Sequence, residues 1–323
     1  MPEELLKIDG LKTVFRTEAG TARAVDGVSF AVGHRETVGL VGESGCGKSV
    51  TALSIMRLVA DPPGKIESGS ILFEGRDLLS LSEKEMRKVR GNEISIVFQE
   101  PLSSLNPVFT CGEQIREAIA LHQKLGRKES KNKAVEMLRL VRIPDPEKRY
   151  SNFPHQMSGG MRQRVMIAMA LSCQPKLLIA DEPSTALDVS VQAQIIELLA
   201  ELRSGRDMAV LLITHDLAVV AQMADRVVVM YAGAVVEESP VKELFASPAH
   251  PYTKGLIDSL PRLGQNLDRL PMIPGTVPDP LHVPEGCRFS DRCPERFGKC
   301  TAEPPLFGLP GGRRARCWLQ EGE

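Results

Sequence analysis

The pattern of apolar and polar positions changes character twice along the chain. Residues 5–41 read as strands: Val25–Val32 and Thr37–Val41 are rich in β-branched residues, and Gly33 marks a turn between them. Thr37–Val41 runs into a glycine-rich loop, and an apolar helix is predicted from about Lys48 to Leu58. Short strands follow at Ile71–Glu74, closed by Gly75, and at Ile94–Phe98, ending at Gln99. From Asn106 to about Pro154 the period becomes helical with charged faces, over Gln114–His122 and Lys131–Val141, and Pro144 and Pro146 punctuate its end. Strand and helix then alternate: helix Gly160–Leu171, strand Leu177–Ala180, helix Val189–Arg203, strand Val210–Thr214, helix Leu217–Ala224, strands Arg226–Tyr231 and Ala234–Glu237. This alternation predicts an α/β fold with a largely parallel sheet covered by helices. After about Ser239 prolines multiply and strand signals thin out, which reads as an appended C-terminal domain over 240–323.

Composition adds bounds. The 323 residues suffice for one large domain or two modest ones. With 42% hydrophobic and 25% charged residues, the chain has the balance of a soluble globular protein. A formal net charge of −1 gives no bulk attraction to nucleic acid or membrane. The most apolar stretch, Met208–Val236, is interrupted by His215, Asp216, Asp225 and Arg226, so no bilayer span is expected. The N-terminus lacks a basic-then-apolar leader, which points to the cytoplasm. Of seven cysteines, Cys287, Cys293, Cys300 and Cys317 crowd the tail; in a cytoplasmic chain such a group reads as metal binding before disulfides.

The chemistry sits in a fixed series of motifs. Gly42–Ser49, GESGCGKS, is a phosphate loop. Its glycines let the backbone of Gly42, Glu43, Ser44, Gly45, Cys46 and Gly47 curl so that N–H groups face a phosphate. Lys48 brings an ammonium to the β- and γ-phosphates, and Ser49 offers a hydroxyl to Mg²⁺. The strand in LLIADE ends in Asp181, suited to hold Mg²⁺ through water, and Glu182, suited to polarise the attacking water as general base. In MSGGMRQR, Met157–Arg164, Ser158 is placed as a helix N-cap, and Gly159 and Gly160 permit close approach to an anion. Since Lys48 already has its phosphate loop, a second anion-binding helix start implies reciprocity, with this segment closing over ATP held by a partner chain.

The whole set resembles the nucleotide-binding subunit of an ATP-binding cassette (ABC) transporter, across essentially the entire chain. The resemblance implies a P-loop NTPase fold: a RecA-like core with an antiparallel β subdomain and a helical subdomain at about 100–158, within a nucleotide-binding domain over 1–239. It further implies a Mg²⁺-ligating Gln99, a D-loop at Thr185–Asp188 with Asp188 among the nucleotide-binding residues, a switch His215 at the γ-phosphate, and Phe15 stacked on adenine. Met157, Met161 and Glu100 stand where Leu, Gln and Asp are usual in the family, and none of these removes a group that hydrolysis needs.

Ser247–Pro261, Ser104–Pro107, Phe153–Leu171 and Val229–Glu237 are similar to segments of dipeptide, oligopeptide and nickel importer ATPases. That resemblance implies a [4Fe–4S] cluster on Cys287, Cys293, Cys300 and Cys317, with Zn²⁺ as the alternative. It also implies a homologous second ATPase subunit, two transmembrane permease subunits, an extracytoplasmic substrate-binding protein, and peripheral attachment to the inner face of the cell membrane. The solute expected is a dipeptide, then longer peptides, glutathione-like peptides or nickel. A soluble cassette ATPase acting on ribosomes or DNA is disfavoured by the near-zero net charge, and no nucleic-acid partner is expected.

Overall fold

The computed structural model describes residues 4–100, 104–183, 188–205, 207–260 and 271–322. They fall into two compact units. One is built on Gly33–Glu36 and Ser80–Leu212, the other on Leu6–Val32, Thr37–Leu79 and the chain from Ile213 onward.

The second unit carries the phosphate loop. Its outer sheet is antiparallel, in the order β2 (Gly20–Gly33), β1 (Glu4–Thr17), β4 (Gly64–Phe73), β5 (Arg76–Asp77). Its inner strands are β3 (Thr37–Val41), β9 (Arg226–Tyr231) and β10 (Ala234–Pro240). Strand β3 pairs parallel with β9, Val38 against Arg226 through Val41 against Val229, and β10 pairs antiparallel with β9. All five residues of β3 are buried, which is why its sequence is a continuous apolar run instead of an alternating one. Helix α1 (Lys48–Ile55) follows the loop directly, and α8 (Leu217–Met223) follows β8 (Ala209–Thr214). Gly39 is a packing requirement: a Cβ there would sit 3.0 Å from the Val220 side chain of α8.

The chain after β10 is not a run of loose loops. Helices α9 (Val241–Ala246) and α10 (Pro251–Asp258) precede two three-residue strands, β11 (Phe307–Leu309) and β12 (Arg313–Ala315), and β12 pairs antiparallel with β10. Tyr252, Cys287, Phe289 and Cys300 share one apolar cluster with Val41, Val229 and Tyr231. Tyr231, Tyr252 and Phe289 pack tilted or edge-on, with ring centroids 4.7 to 5.4 Å apart. Each such aromatic pair contributes about 0.5–1.5 kcal/mol beyond its burial.

The first unit holds parallel strands β6 (Ile94–Val97) and β7 (Leu177–Asp181), with β8 beside β7. It also holds a helical region of α3 (Cys111–Gln123), α4 (Arg127–Leu140), α5 (Pro146–Arg149) and α6 (Gly159–Leu171), and then α7 (Val189–Ser204). Helix α2 (Glu83–Val89) is an addition to the elements expected from sequence. Its capping box, Ser82 with Glu85, fixes its start. In α3, Gly112 admits the ring of Tyr150, whose atoms lie 2.1 Å from where a Cβ would be, and the Tyr150 hydroxyl donates to Glu113 at 2.6 Å. Among the described residues no helix is long and apolar enough to cross a membrane.

Candidate nucleotide-binding site

The phosphate loop is built from glycines that the backbone cannot do without. Gly42, Gly45 and Gly47 take φ of 152°, 82° and 101°, a region other residues enter only at a cost. A Cβ on Gly42 would lie 2.2 Å from the Met230 carbonyl oxygen, and one on Gly47 2.2 Å from that of Ala24. Gly45 is required by conformation alone, since its missing side chain would face open space. Gly47 is also the N-cap of α1 and supplies no capping side chain, and no acidic residue stands in the first turn of α1. The positive end of the helix is therefore not neutralised by its own side chains, as an anion site requires.

Lys48 is 5% exposed. Its ammonium donates to the carbonyls of Gly42 at 2.7 Å and Glu43 at 3.0 Å, and lies 3.8 Å from Cys46 Sγ. Burial pushes the Cys46 thiol up, so it stays neutral beside Lys48. Donor N–H groups, a held ammonium and the Ser49 hydroxyl at the start of α1 together fit the phosphates of a nucleoside triphosphate with Mg²⁺. In the same unit, Phe15 is half-buried on β1, its ring edge against Gly64. His215 is exposed at the end of β8, ahead of α8. Asp216 caps α8 by accepting from Ala218 and Val219, and Thr214 Oγ1 accepts from the Asp216 N–H.

In the other unit, Asp181 ends β7 and is 6% exposed, and Glu182, at 9%, sits in the left-handed region with φ of 46°. A buried, non-glycine residue held there marks a position that the surrounding structure over-determines. The Gln99 side-chain amide donates to Glu182 Oε2 at 3.1 Å, so the structure brings these two together. Ser158 caps α6, its hydroxyl accepting from the Met161 N–H at 3.3 Å. Gly160 faces α7: a Cβ would meet the Val191 side chain at 2.7 Å. Met157 rests its sulfur 3.6 Å from Cys111 Sγ. Asp188 caps α7, and the Ser190 hydroxyl and Val191 N–H hold its exposed carboxyl below the usual range. Thr185, Ala186 and Leu187 lie outside the described residues.

Two residues that sequence reasoning missed touch the phosphate loop directly. The Tyr252 hydroxyl accepts from the Glu43 N–H at 2.8 Å. Arg292 Nη1 lies 3.1 Å from both carboxylate oxygens of Glu43. Tyr252 falls within the Ser247–Pro261 segment noted above, but nothing local in the sequence ties it to Glu43.

The four tail cysteines lie near one another. Burial pushes the Cys287 and Cys293 thiols up and Cys317 up to about 11, and the sulfurs lie close enough to disfavour one another's ionisation. Among the described residues, however, no three or more His, Cys, Asp or Glu side chains are arranged to hold a metal ion. The expected [4Fe–4S] cluster on Cys287, Cys293, Cys300 and Cys317, or its Zn²⁺ alternative, gains no support from this arrangement.

The fold and the loop define a P-loop nucleotide-binding protein, and comparison with known proteins narrows it. Residues 25–185 match the family described as ABC transporter, and residues 236–300 match the oligopeptide/dipeptide transporter C-terminal region. The chain is 53% identical to a probable peptide ABC transporter ATP-binding protein of Sinorhizobium fredii, over 97% of this chain and 94% of that one. It is 51% identical to the dipeptide transport ATP-binding protein DppD of Bacillus subtilis, over 99% and 96%. Among solved structures, an ATP-binding cassette captured as a post-hydrolysis dimer with ADP and phosphate superposes with a TM-score of 0.66 at 26% identity, covering 73% of this chain and 98% of that one. The chain belongs to the ATP-binding subunits of ABC transporters, in the group that carries the oligopeptide/dipeptide transporter C-terminal region. As an ABC-family ATPase it takes ATP with Mg²⁺ as its cofactors.

Proposed function

We propose that the chain is the ATP-hydrolysing motor of a peptide importer. The observation that carries this reading is the phosphate loop, with its obligatory glycines and held Lys48, in a chain matched along almost its whole length by peptide-importer ATPases. The loop N–H groups and Lys48 bind the β- and γ-phosphates. Ser49, Gln99 and Asp181 hold Mg²⁺, which when bound draws charge from the phosphates. Glu182, oriented by Gln99, accepts a proton from the attacking water, and His215 contacts the γ-phosphate. Phe15 stacks on adenine.

Ser158, Gly159, Gly160 and Asp188 act across an interface on the nucleotide of a homologous second ATPase, each site taking its phosphate loop from one chain and its capped helix start from the other. What supports this is the exposure of Ser158, Gly159 and Asp188, and a dimeric cassette as structural relative. The nucleotide-binding domain spans 1–239 and the C-terminal domain 240–323. Two permease subunits receive the motion at the inner face of the membrane, and an extracytoplasmic binding protein delivers the solute. Dipeptides lead as substrate, followed by longer peptides, with glutathione-like peptides or nickel as the alternatives. A [4Fe–4S] or Zn²⁺ site keeps only the sequence resemblance and the clustering of thiols as support; iron, zinc and acid-labile sulfide analysis of anaerobically purified protein tests it, and metal-free protein removes it.

The direct test is Glu182→Gln. The variant is expected to bind MgATP like the parent, to lose at least about a hundredfold in hydrolysis, and to accumulate a closed dimer in size-exclusion chromatography with ATP. Normal turnover would contradict the assignment of Glu182 as the general base.

A further inference from the structure

We propose that Tyr252 and Arg292 are positioning residues for ATP binding, setting the peptide plane that holds Lys48 from within the segment after β10. The inference rests on the nucleotide-site reading above and adds to it a regulatory role for the C-terminal segment.

The argument starts from one planar unit. The Gly42 carbonyl and the Glu43 N–H belong to the same trans peptide, so they point in opposite directions. The Tyr252 hydroxyl takes the N–H on one side at 2.8 Å, and the carbonyl is thereby turned to the Lys48 ammonium on the other at 2.7 Å. Glu43 is held a second time through its side chain, by Arg292. That guanidinium cannot wander: its side chain is 6% exposed, its Nε donates to the Pro274 carbonyl at 2.7 Å, and its Cζ lies 5.7 Å from the Tyr231 ring centre. With both its N–H and its carboxylate committed, Glu43 orients the loop instead of contacting phosphate.

Tyr252 is itself fixed. Glu237, fully buried on β10, accepts from the N–H groups of Ala249 and His250 at 2.8 Å each. His250 Nδ1 in turn accepts from the Tyr252 N–H at 3.0 Å. The opposite wall of the loop is braced in the same way. The Cys46 carbonyl accepts from Gly233, Gly233 accepts from Asp26, and Arg288 bridges the Ala232 carbonyl at 2.7 Å to the Asp26 carboxylate at 2.8 Å. Turning the Cys46 carbonyl toward Gly233 directs the Gly47 N–H the other way by the same planarity. A ligand or modification that moves the segment around Ser290–Arg292 would thus be felt at Lys48.

The test uses the full chain and MgATP, measuring affinity, KM and kcat together with thermal unfolding in the absence of nucleotide. Tyr252→Phe keeps the ring and removes the acceptor; it is expected to weaken MgATP binding about tenfold, the scale of one hydrogen bond to a charged network, with a far smaller effect on kcat. Arg292→Gln and Glu43→Gln are each expected to raise KM several-fold, and the double variant no more than either alone. Arg292→Lys should recover part of the loss, and Arg296→Gln, on an exposed pair with Asp291, should change nothing. Unchanged MgATP affinity in Tyr252→Phe and Arg292→Gln, or additive effects of Arg292→Gln and Glu43→Gln, would overturn the proposal. A parent chain that does not bind MgATP would overturn the nucleotide-site reading itself, and the proposal with it.

Discussion

Two glycine-rich helix starts in this chain look alike in sequence and differ in construction. At Gly42–Ser49 the glycines hold positive φ against the backbone oxygens of Met230 and Ala24, the helix cap supplies no side chain, and Lys48 is buried. At Met157–Gly160 the glycines are ordinary helical residues, Ser158 caps its own helix, and Ser158 and Gly159 are exposed. The first is shaped by its own chain to receive an anion. The second has satisfied its own N–H group and presents its face outward, which is what a surface completed by a partner requires. A glycine-rich motif thus carries different meanings depending on whether glycine is needed for dihedral freedom or for close approach.

Substitutions in the first turn should give the largest effects and establish whether it is an anion site at all. Lys48→Ala is expected to abolish detectable hydrolysis and weaken MgATP binding by about a hundredfold or more, read by nucleotide titration. Gly47→Ala should fail more broadly, losing about 3 kcal/mol or more of stability, because its Cβ meets a backbone oxygen that cannot retreat. If Gly47→Ala unfolds normally and binds MgATP, the strained-loop account is wrong.

A second prediction sharpens the dependence of the first turn on the segment after β10. Burial drives the His250 imidazole down to about 3, so the folded protein binds fewer protons there than the unfolded chain. Stability is therefore full above the unfolded value near 6.5 and is lost as pH falls toward 3. About 1.6 kcal/mol should disappear between pH 6.5 and pH 5, measured by urea unfolding; His250→Gln should flatten that slope. A parent protein equally stable at both values would contradict the buried neutral imidazole.

The smallest intrinsic effect belongs to the second turn. Ser158→Ala should cost about 1 kcal/mol of stability as a lost cap and leave MgATP binding by the chain unchanged, while lowering hydrolysis in the assembled ATPase pair. Weakened binding in the isolated chain would place Ser158 in the chain's own site and break the contrast between the two turns.

Much of this was legible in the sequence, unevenly. Thr37–Val41 and Arg226–Tyr231 have the bounds that the apolar runs predict, because buried strands admit little else. The α2 helix was missed although Ser82 and Glu85 carry its capping signal, since a seven-residue polar helix has too few apolar positions to show a period. Strands β11 and β12 are three residues each and exist by pairing onto β10, information that no local window contains. The site divides the same way. Glycine positions and the acids at the end of β7 announce themselves by spacing, whereas Tyr252 reaches Glu43 across 209 residues. The thiols Cys287, Cys293, Cys300 and Cys317 drew attention by their clustering, and among the described residues no group is arranged as a metal site.

The most direct measurement is ATP hydrolysis by this chain assembled in lipid with the permease subunits, second ATPase and binding protein proposed above, with dipeptides, longer peptides or Ni²⁺ added in turn. The account predicts stimulation by peptides, and loss of that stimulation in Glu182→Gln. Steady hydrolysis indifferent to every peptide would contradict it.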